Sequence, residues 1–372
     1  MSHKPSICVC GGGSLGTVIA GVAASKGYKV NLLTGHPSSW GKSIRITDPD
    51  GYIFEGPLFR VSDNAGDVIP ESDIIIFCLP GTVIYDELIK IRPYISSGSI
   101  VGSVFSSTGF FIMALDVLGE DAHLFGFQRV PFISRISEYG HSANLLGYKK
   151  SLNIAYWNVE HKAATTDLLA DIFHTPVNIL RHPLEATLTN SNPILHPARL
   201  FTLFSGFDES KPFVTPPLFY EDWNDESSEI LIACDSEFQS LIRILGIGSD
   251  DIPSLLEYYE STDAASLTAK IRSIAAFKGI YAPTSKTDGG YVPDYNNRYF
   301  SEDIPFGLML IKHIAELNAL ETPSIDRIIR WYESLSGKVL LDGDRMADNS
   351  DTREIHSLNS PVILRLISTL NG

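Results

Sequence analysis

The sequence predicts an α/β N-terminal domain with a mostly parallel, doubly wound sheet, followed by an all-α C-terminal domain. Two observations predict this fold class. Short apolar runs alternate with helical segments in the first half, whereas the second half has apolar residues at helical spacing and few strand signals. We therefore expect a dinucleotide-binding domain at 1–182 and a helical substrate and catalytic domain at 183–372.

The N-terminus carries the motif that defines the first domain. After an apolar run, Gly11, Gly13 and Gly16 follow the spacing G-x-G-x-x-G. In a Rossmann unit these glycines make the tight turn, admit a pyrophosphate and let the helix pack on the sheet. A helix expected at 15–26 presents its first N–H groups to the phosphates, and a strand follows at 28–33. The cofactor contacts that we predict are Gly11, Gly13, Ser14, Leu15, Gly16, Thr34, His36, Leu79 and Pro80.

Other elements follow from periodicity and turn residues. Strands are expected at 43–47 and 52–54, as a hairpin, and at 73–80, 99–105, 124–127 and 152–156. Helices are expected at 189–203, 227–245, 252–259, 264–274, 304–319 and 324–335, with a loop rich in Gly, Pro, Asn and Tyr at 282–297.

Composition excludes several classes of protein. With 372 residues, 44% of them hydrophobic, the chain can bury the cores of two domains. Its net charge of −15 argues against nucleic-acid and anionic-membrane partners. We expect no membrane span, no secretory signal and a cytoplasmic protein. Four cysteines are too few for a disulfide framework and lack the spacing of a metal site, so we predict no metal.

The residues after the second strand bear on the choice of dinucleotide. NAD-binding domains usually place an acid there, but this chain has none between Leu33 and Asp48. Thr34, His36 and Lys42 offer donors and charge for a 2′-phosphate. The segment also fits an ordinary polar loop. Because the acid is missing, NADP is favoured over NAD.

Two polar segments of the helical half are candidates for chemistry. Asn192 and His196 lie four residues apart, on one helical face, with Asn192 as the expected N-cap. Arg298 and Asp303 lie just before an apolar helix. Taken alone, the first segment also fits a helix cap with a core histidine, and the second fits acids in a first helical turn.

The two segments read Asn-Pro-Ile-Leu-His-Pro from Asn192 and Arg-Tyr-Phe-Ser-Glu-Asp-Ile-Pro-Phe-Gly from Arg298. With the glycine motif and Gln128-Arg-Val-Pro, they resemble the NAD/NADP octopine/nopaline (opine) dehydrogenase family. The resemblance implies a helical domain similar to the 6-phosphogluconate dehydrogenase C-terminal-like class. It also implies reductive condensation of a 2-oxo acid with the amino group of an amino acid. These small molecules are the only partners that we expect. A homodimer is one assembly that the resemblance allows.

The same resemblance assigns roles to site residues. His196 is expected to be the general acid/base and Asp303 its carboxylate partner. Arg298 is expected to hold a substrate carboxylate, Asn192 to position the substrate, and Gln128 to contact the oxo acid. Arg129 and Arg199 are further candidates for binding a carboxylate.

The sequence is also compatible with two other functions. The same fold also suits a 2-oxo acid or ketopantoate-like reductase, which forms a hydroxy acid and typically has a lysine at the reacting centre. A non-catalytic sensor of nicotinamide nucleotides would need neither His196 nor Asp303. The joint presence of these two residues favours the opine-type reaction.

Overall fold

The structure is a computed structural model that describes residues 4–248 and 252–370. These residues form two compact units that divide between Thr187 and Leu188, a few residues after the expected boundary at 182. The short helix Pro183–Thr187 packs on strands of the first unit and therefore belongs to it. Within the described ranges, no helix is long and apolar enough to cross a membrane.

The first unit is built from strands and helices in alternation. Its strands are β1 (Ser6–Cys10), β2 (Lys29–Leu33), β3 (Ser43–Thr47), β4 (Ile53–Pro57), β5 (Arg60–Ser62), β6 (Ile74–Phe77), β7 (Ile100–Ser103), β8 (His123–Phe127), β9 (Phe132–Glu138), β10 (Ser142–Tyr148), β11 (Leu152–Trp157) and β12 (Val177–Ile179). Its helices are α1 (Ser14–Ser25), α2 (Ala65–Val68), α3 (Gly81–Ile91), α4 (Phe110–Leu118), α5 (Lys162–Phe173) and α6 (Pro183–Thr187).

The main sheet has eight strands in the order β12-β11-β8-β7-β6-β1-β2-β5. All its pairs are parallel except β8 with β11. Because the chain runs from β1 outward to β5 and then back to β6, the strand order reverses beside β1, where doubly wound sheets bind ligands. The predicted Rossmann-type fold class is confirmed.

A second sheet, of four strands in the order β4-β3-β10-β9, packs on α1. The predicted hairpin of β3 and β4 is confirmed, whereas β9 and β10 were not expected. Residues Gly16–Ala24 of α1 are buried, because the helix has a sheet on each side. A Cβ on Gly21 would lie 2.6 Å from Cγ1 of Ile46 in β3, so the close packing requires glycine there.

The second unit is mainly helical. Its helices are α7 (Asn192–Phe204), α8 (Asp225–Ile244), α9 (Leu255–Tyr258), α10 (Ala264–Ser273), α11 (Arg298–Ser301), a π-helix (Asp303–Leu308), α12 (Met309–Leu317), α13 (Pro323–Ser336), α14 (Ser350–Arg353), α15 (His356–Asn359) and α16 (Val362–Thr369). Two short hairpins complete it: β13 (Thr284–Thr287) with β14 (Gly290–Pro293), and β15 (Leu341–Asp342) with β16 (Arg345–Met346).

Three expectations for this unit were wrong in detail. The helix expected at 252–259 is the single turn α9, which begins only after Pro253. The loop expected at 282–297 contains the hairpin of β13 and β14. The helix expected at 304–319 starts as the π-helix and continues as α12.

Candidate active site

The glycine loop of the first unit has the backbone of a phosphate-binding turn. Gly11 has φ of +112°, and a Cβ there would lie 2.7 Å from the carbonyl oxygen of Cys78. A Cβ on Gly16 would lie 1.9 Å from the carbonyl oxygen of Gly11. Gly13, in contrast, is exposed, and a Cβ there would meet no atom within 4 Å. The chain's own packing thus requires glycine at Gly11 and Gly16, whereas the backbone of Gly13 is open to an approaching ligand.

The first turn of α1 also fits a pyrophosphate. The helix begins at Ser14, and its capping residue, Gly13, offers no side chain to the first N–H groups. Ser14 and Leu15 are only half-buried. The positive end of the helix dipole and its unpaired N–H groups suit an anionic group at this point.

The remaining predicted cofactor residues surround this loop. Leu79, which follows β6, lies with Cδ2 2.9 Å from the Cβ position of Gly11. Oγ1 of Thr34, which follows β2, lies 2.9 Å from the Cβ position of Gly12. Pro80 is exposed and caps α3. These residues therefore fit a dinucleotide that crosses the carboxyl ends of β1, β2 and β6.

His36 lies on the rim of the same region. It is exposed, and its ring contacts Tyr139 edge to face, with centroids 6.4 Å apart. Tyr139 in turn contacts Trp40, whose Cζ2 lies 2.6 Å from the Cβ position of Gly12. Sequence reasoning missed Tyr139 because it follows β9, a strand that was not expected.

The helical unit brings His196 and Asp303 together. His196 lies in the second turn of α7 and is 4% exposed. Its Nδ1 lies 2.8 Å from Oδ2 of Asp303, the first residue of the π-helix. The two helices approach closely at Gly307, where a Cβ would lie 2.8 Å from Cβ of Pro193. This contact holds the histidine and the carboxylate in register.

Aromatic residues enclose the other sides of the His196 ring. Tyr299 stacks on it with centroids 4.0 Å apart, and Phe219 meets it edge to face at 5.6 Å. The hydroxyl of Tyr220 lies 3.0 Å from Nε2. Burial raises the pKa of Tyr220 well above its ordinary value, so this hydroxyl keeps its proton. Tyr220 lies outside every motif that sequence reasoning used, and it follows a stretch without periodicity.

Arg298 has a free guanidinium near this pair. It is exposed and lies with Cζ 5.9 Å from the ring centroid of Tyr299, the residue that stacks on His196. Among the described residues it has no ion pair and no side-chain hydrogen bond. A guanidinium in this position can donate two parallel hydrogen bonds to a carboxylate.

Asn192 lies at the start of α7, one turn before His196. The prediction that Asn192 is the N-cap was wrong: the capping residue is Ser191, and Asn192 is the first helical residue. In the described part of the chain the half-buried Asn192 amide makes no hydrogen bond. Its donors and acceptor therefore remain for a substrate.

Gln128 of the first unit differs from Asn192, because its side-chain amide is hydrogen-bonded within the protein. Its Nε2 donates to the carbonyl oxygen of Glu185 at 2.8 Å, and its Oε1 accepts from Asn153 at 3.2 Å. These bonds join the end of β8 to α6 and β11. The structure gives Gln128 a structural role, and its contact with an oxo acid stays a prediction.

The guanidinium of Arg199 is likewise hydrogen-bonded within the protein, which argues against Arg199 as the group that binds a substrate carboxylate. Buried in α7, it donates to the carbonyl oxygens of Phe219 and Asp222 and to Oγ of Ser227. Burial lowers its pKa to about 10. Arg199 thus fixes the segment that carries Tyr220.

Known proteins match this chain along nearly its whole length. Residues 179–336 match the family model for the α-helical domain of NAD/NADP octopine/nopaline dehydrogenase. The chain is similar to octopine dehydrogenase of Pecten maximus, with 29% identity over 91% of this chain and 92% of that one. It is 28% identical to tauropine dehydrogenase of Arabella iricolor, over 93% and 96% of the two chains. A solved structure of octopine dehydrogenase with NADH and L-arginine has a TM-score of 0.86, with 25% identity over 98% of each chain.

Fold, site and matches together define the class of protein, an NAD(P)-dependent oxidoreductase that acts on the CH–NH group of its donors. Its cofactor is a nicotinamide dinucleotide. The helical domain matches the octopine/nopaline dehydrogenase family, and the predicted resemblance of the chain to the opine dehydrogenases is confirmed.

Proposed function

We propose that this chain condenses a 2-oxo acid with the amino group of an amino acid, using NAD(P)H, and catalyses the reverse reaction, with His196 as general acid/base. The observation that carries the assignment of His196 is its buried contact with Asp303 at 2.8 Å. A histidine titrates near neutral pH and can therefore give and take a proton in the two directions.

The surrounding side chains divide the remaining tasks. Asp303 keeps one tautomer of His196 and stabilises the imidazolium when it forms. Arg298 binds a substrate carboxylate through its free guanidinium, and Asn192 orients the substrate by hydrogen bonds. The bound dinucleotide supplies the hydride. His196 supplies the proton that the departing carbonyl oxygen of the 2-oxo acid requires.

A substrate panel tests this reaction against its main alternative. NADPH and NADH oxidation is followed with a series of 2-oxo acids, each with and without amino acids. We expect oxidation only when both components are present. Oxidation with the oxo acid alone would identify a hydroxy-acid reductase, and cofactor binding without turnover across the panel would identify a sensor.

We further propose that NADP is preferred over NAD. The segment after β2 has no acid before Asp48, and it presents His36 and Lys42 to solvent. A carboxylate at this place would repel a 2′-phosphate. The substitution Thr34→Asp should therefore weaken NADPH binding by about tenfold and spare NADH. A tenfold change corresponds to about 1.4 kcal/mol, which lies between the roughly 1 kcal/mol of a close charge pair in water and the roughly 4 kcal/mol of one near a protein surface.

Fluorescence titration of the two reduced cofactors measures this preference. Ser273→Asp adds the same charge at an exposed position of α10, in the other unit, and serves as the control. Tighter binding of NADH than of NADPH by the unmodified protein would contradict the proposal.

The expected cytoplasmic location and homodimer also belong to this proposal. The described cysteines carry free thiols, as is usual in a reducing compartment. Cell fractionation tests the location, and light scattering of the purified protein tests the assembly.

A further inference from the structure

Both ring nitrogens of His196 have protein partners. Nδ1 lies 2.8 Å from Oδ2 of Asp303, and Nε2 lies 3.0 Å from the hydroxyl of Tyr220. The general acid/base proposed above must exchange its proton at one of these nitrogens. The partner at that nitrogen therefore stands in the path of the proton.

The chemistry of the partners fixes which nitrogen this is. An ionised carboxylate can only accept a hydrogen bond, so the Nδ1 that faces Asp303 carries a proton. In the neutral ring Nε2 is then the acceptor, and the hydroxyl of Tyr220 donates to it. Proton exchange with a substrate consequently occurs at Nε2, on the side of Tyr220.

Tyr220 is held rigidly in this position. Nε of Arg199 donates to the carbonyl oxygen of the preceding residue, Phe219, at 2.9 Å. The Tyr220 ring stacks on Phe277 with centroids 4.1 Å apart and an interplanar angle of 16°. Tyr220 is 6% exposed, so water has little access to the bond with Nε2.

We infer that Tyr220 relays the proton between Nε2 of His196 and the substrate. As the Nε2–H bond of the imidazolium breaks, a new O–H bond forms on Tyr220, and the original hydroxyl proton passes to the substrate atom. The reverse reaction runs both transfers backwards, so Tyr220 begins and ends as a neutral phenol. This inference rests on the proposed function of His196.

The first test removes the hydroxyl and keeps the ring. Tyr220→Phe should lower kcat by about a hundredfold and leave KM nearly unchanged, because general acid–base groups contribute at least this much. Tyr332→Phe is the matched control, since Tyr332 of α13 is 7% exposed. We expect full activity from the control.

A proton inventory separates a relay from a merely structural role. With the unmodified enzyme, the rate in mixtures of H2O and D2O should follow a curve, because two protons move together. With Tyr220→Phe the dependence should become linear. Equal kcat in the two proteins, a faster variant, or a linear dependence in the unmodified enzyme would overturn the relay.

A third measurement is independent of turnover. In the cofactor-free protein labelled with 15N-histidine, the Nε2 resonance of His196 should move downfield in Tyr220→Phe, while its Nδ1 resonance stays in place. The variant His196→Gln identifies these resonances among the ten histidines. An unmoved Nε2 resonance would show that the hydrogen bond is absent in solution, and it would overturn the inference even if the substrate panel succeeds. If the panel fails although the resonance moves, the proposed reaction is wrong and the contact is structural.

Discussion

Two buried acid–base pairs of the helical unit differ in whether one of their hydrogen-bond partners can pass a proton on. Lys312 and Asp326 join α12 to α13, with Nζ 2.8 Å from Oδ1 and 3.0 Å from Oδ2. Nζ also donates to the carbonyl oxygen of Asp344 at 2.7 Å, and Thr322 donates to Oδ1. This pair is saturated, because every N–H of the Lys312 ammonium faces an acceptor of the protein.

The pair of His196 and Asp303 differs from the pair of Lys312 and Asp326 in its chemistry. A neutral imidazole has one donor and one acceptor nitrogen, and Nε2 of His196 faces a hydroxyl that can pass a proton on. Burial of an acid–base pair therefore does not by itself indicate chemistry. A movable proton distinguishes the candidate catalytic pair from the structural one.

The largest effect should follow from breaking the catalytic pair. His196→Ala should reduce kcat by about 10² to 10⁴, while the dissociation constant of NADPH stays nearly the same. His313→Ala removes a half-buried histidine of α12 from the same unit and should keep most of the activity. Steady-state kinetics and cofactor titration measure both quantities. Unchanged turnover in His196→Ala would end the assignment.

Breaking the saturated pair should affect stability instead. Asp326→Ala leaves the ammonium of Lys312 buried and unpaired, so the free energy of unfolding should fall by about 3–5 kcal/mol. Asp344→Ala removes only an exposed ion pair with Arg330 and should cost at most about 1 kcal/mol. Urea unfolding measures the two losses. A larger loss in Asp344→Ala than in Asp326→Ala would contradict this account.

His182 is a second buried histidine, and its protonation affects stability rather than catalysis. Nδ1 of His182 accepts the backbone N–H of Leu184, and burial lowers the pKa of His182 to about 4. The unfolded chain takes up this proton near pH 6.5, whereas the folded chain does so only near pH 4. The stability that this site contributes is therefore complete above pH 6.5 and is lost as the pH falls towards 4, by at most about 3 kcal/mol.

The variant His182→Asn isolates that contribution, because its Oδ1 can accept the same N–H as in an Asx turn. Urea unfolding between pH 7 and pH 4 should show a weaker loss of stability in this variant than in the unmodified protein. His161→Asn, at an exposed histidine, should leave the slope as it is. Equal slopes in His182→Asn and the unmodified protein would show that His182 titrates normally.

The smallest effect is expected at the rim of the catalytic pair. Arg298→Ala should raise KM for a carboxylate substrate by about tenfold, since it removes a charge-assisted bond worth about 1.5–3 kcal/mol that is partly solvated. Arg272→Ala, at an exposed position of α10, is the control. Substrate titration at saturating cofactor measures the change. A normal KM would point to another carboxylate anchor.

Much of the first unit could be predicted because its signals are local. The glycine spacing and the apolar runs of β1 and β6 depend on neighbours in sequence. The pairing of β3 with β10 joins residues that lie about a hundred positions apart, and no local pattern encodes it. The sequence of β9 hides its alternation, because the buried position 134 is a serine, whereas the apolar Ile133 beside it is only half-buried.

For the site, prediction worked where a motif carried the residue. His196 and Asp303 lie in two recognisable segments, although no spacing rule could give the 2.8 Å between them. Tyr220 has no such signal, because its place follows from bonds that Arg199 makes across the fold. Likewise, Asp288-Gly289 between β13 and β14 is a hairpin signal that the general polarity of the loop obscured.

The packing of α1 has a consequence for how the first unit can change. Gly16 abuts the turn after β1, and Gly21 abuts Ile46 of the second sheet, so the helix can move towards neither. A methyl group added at Gly21 would displace the whole of α1, including its N-terminal end, where we expect the phosphates of the dinucleotide. The position of the glycine loop therefore depends on β3 as well as on the main sheet, and we expect substitutions in β3 to change the affinity for a dinucleotide.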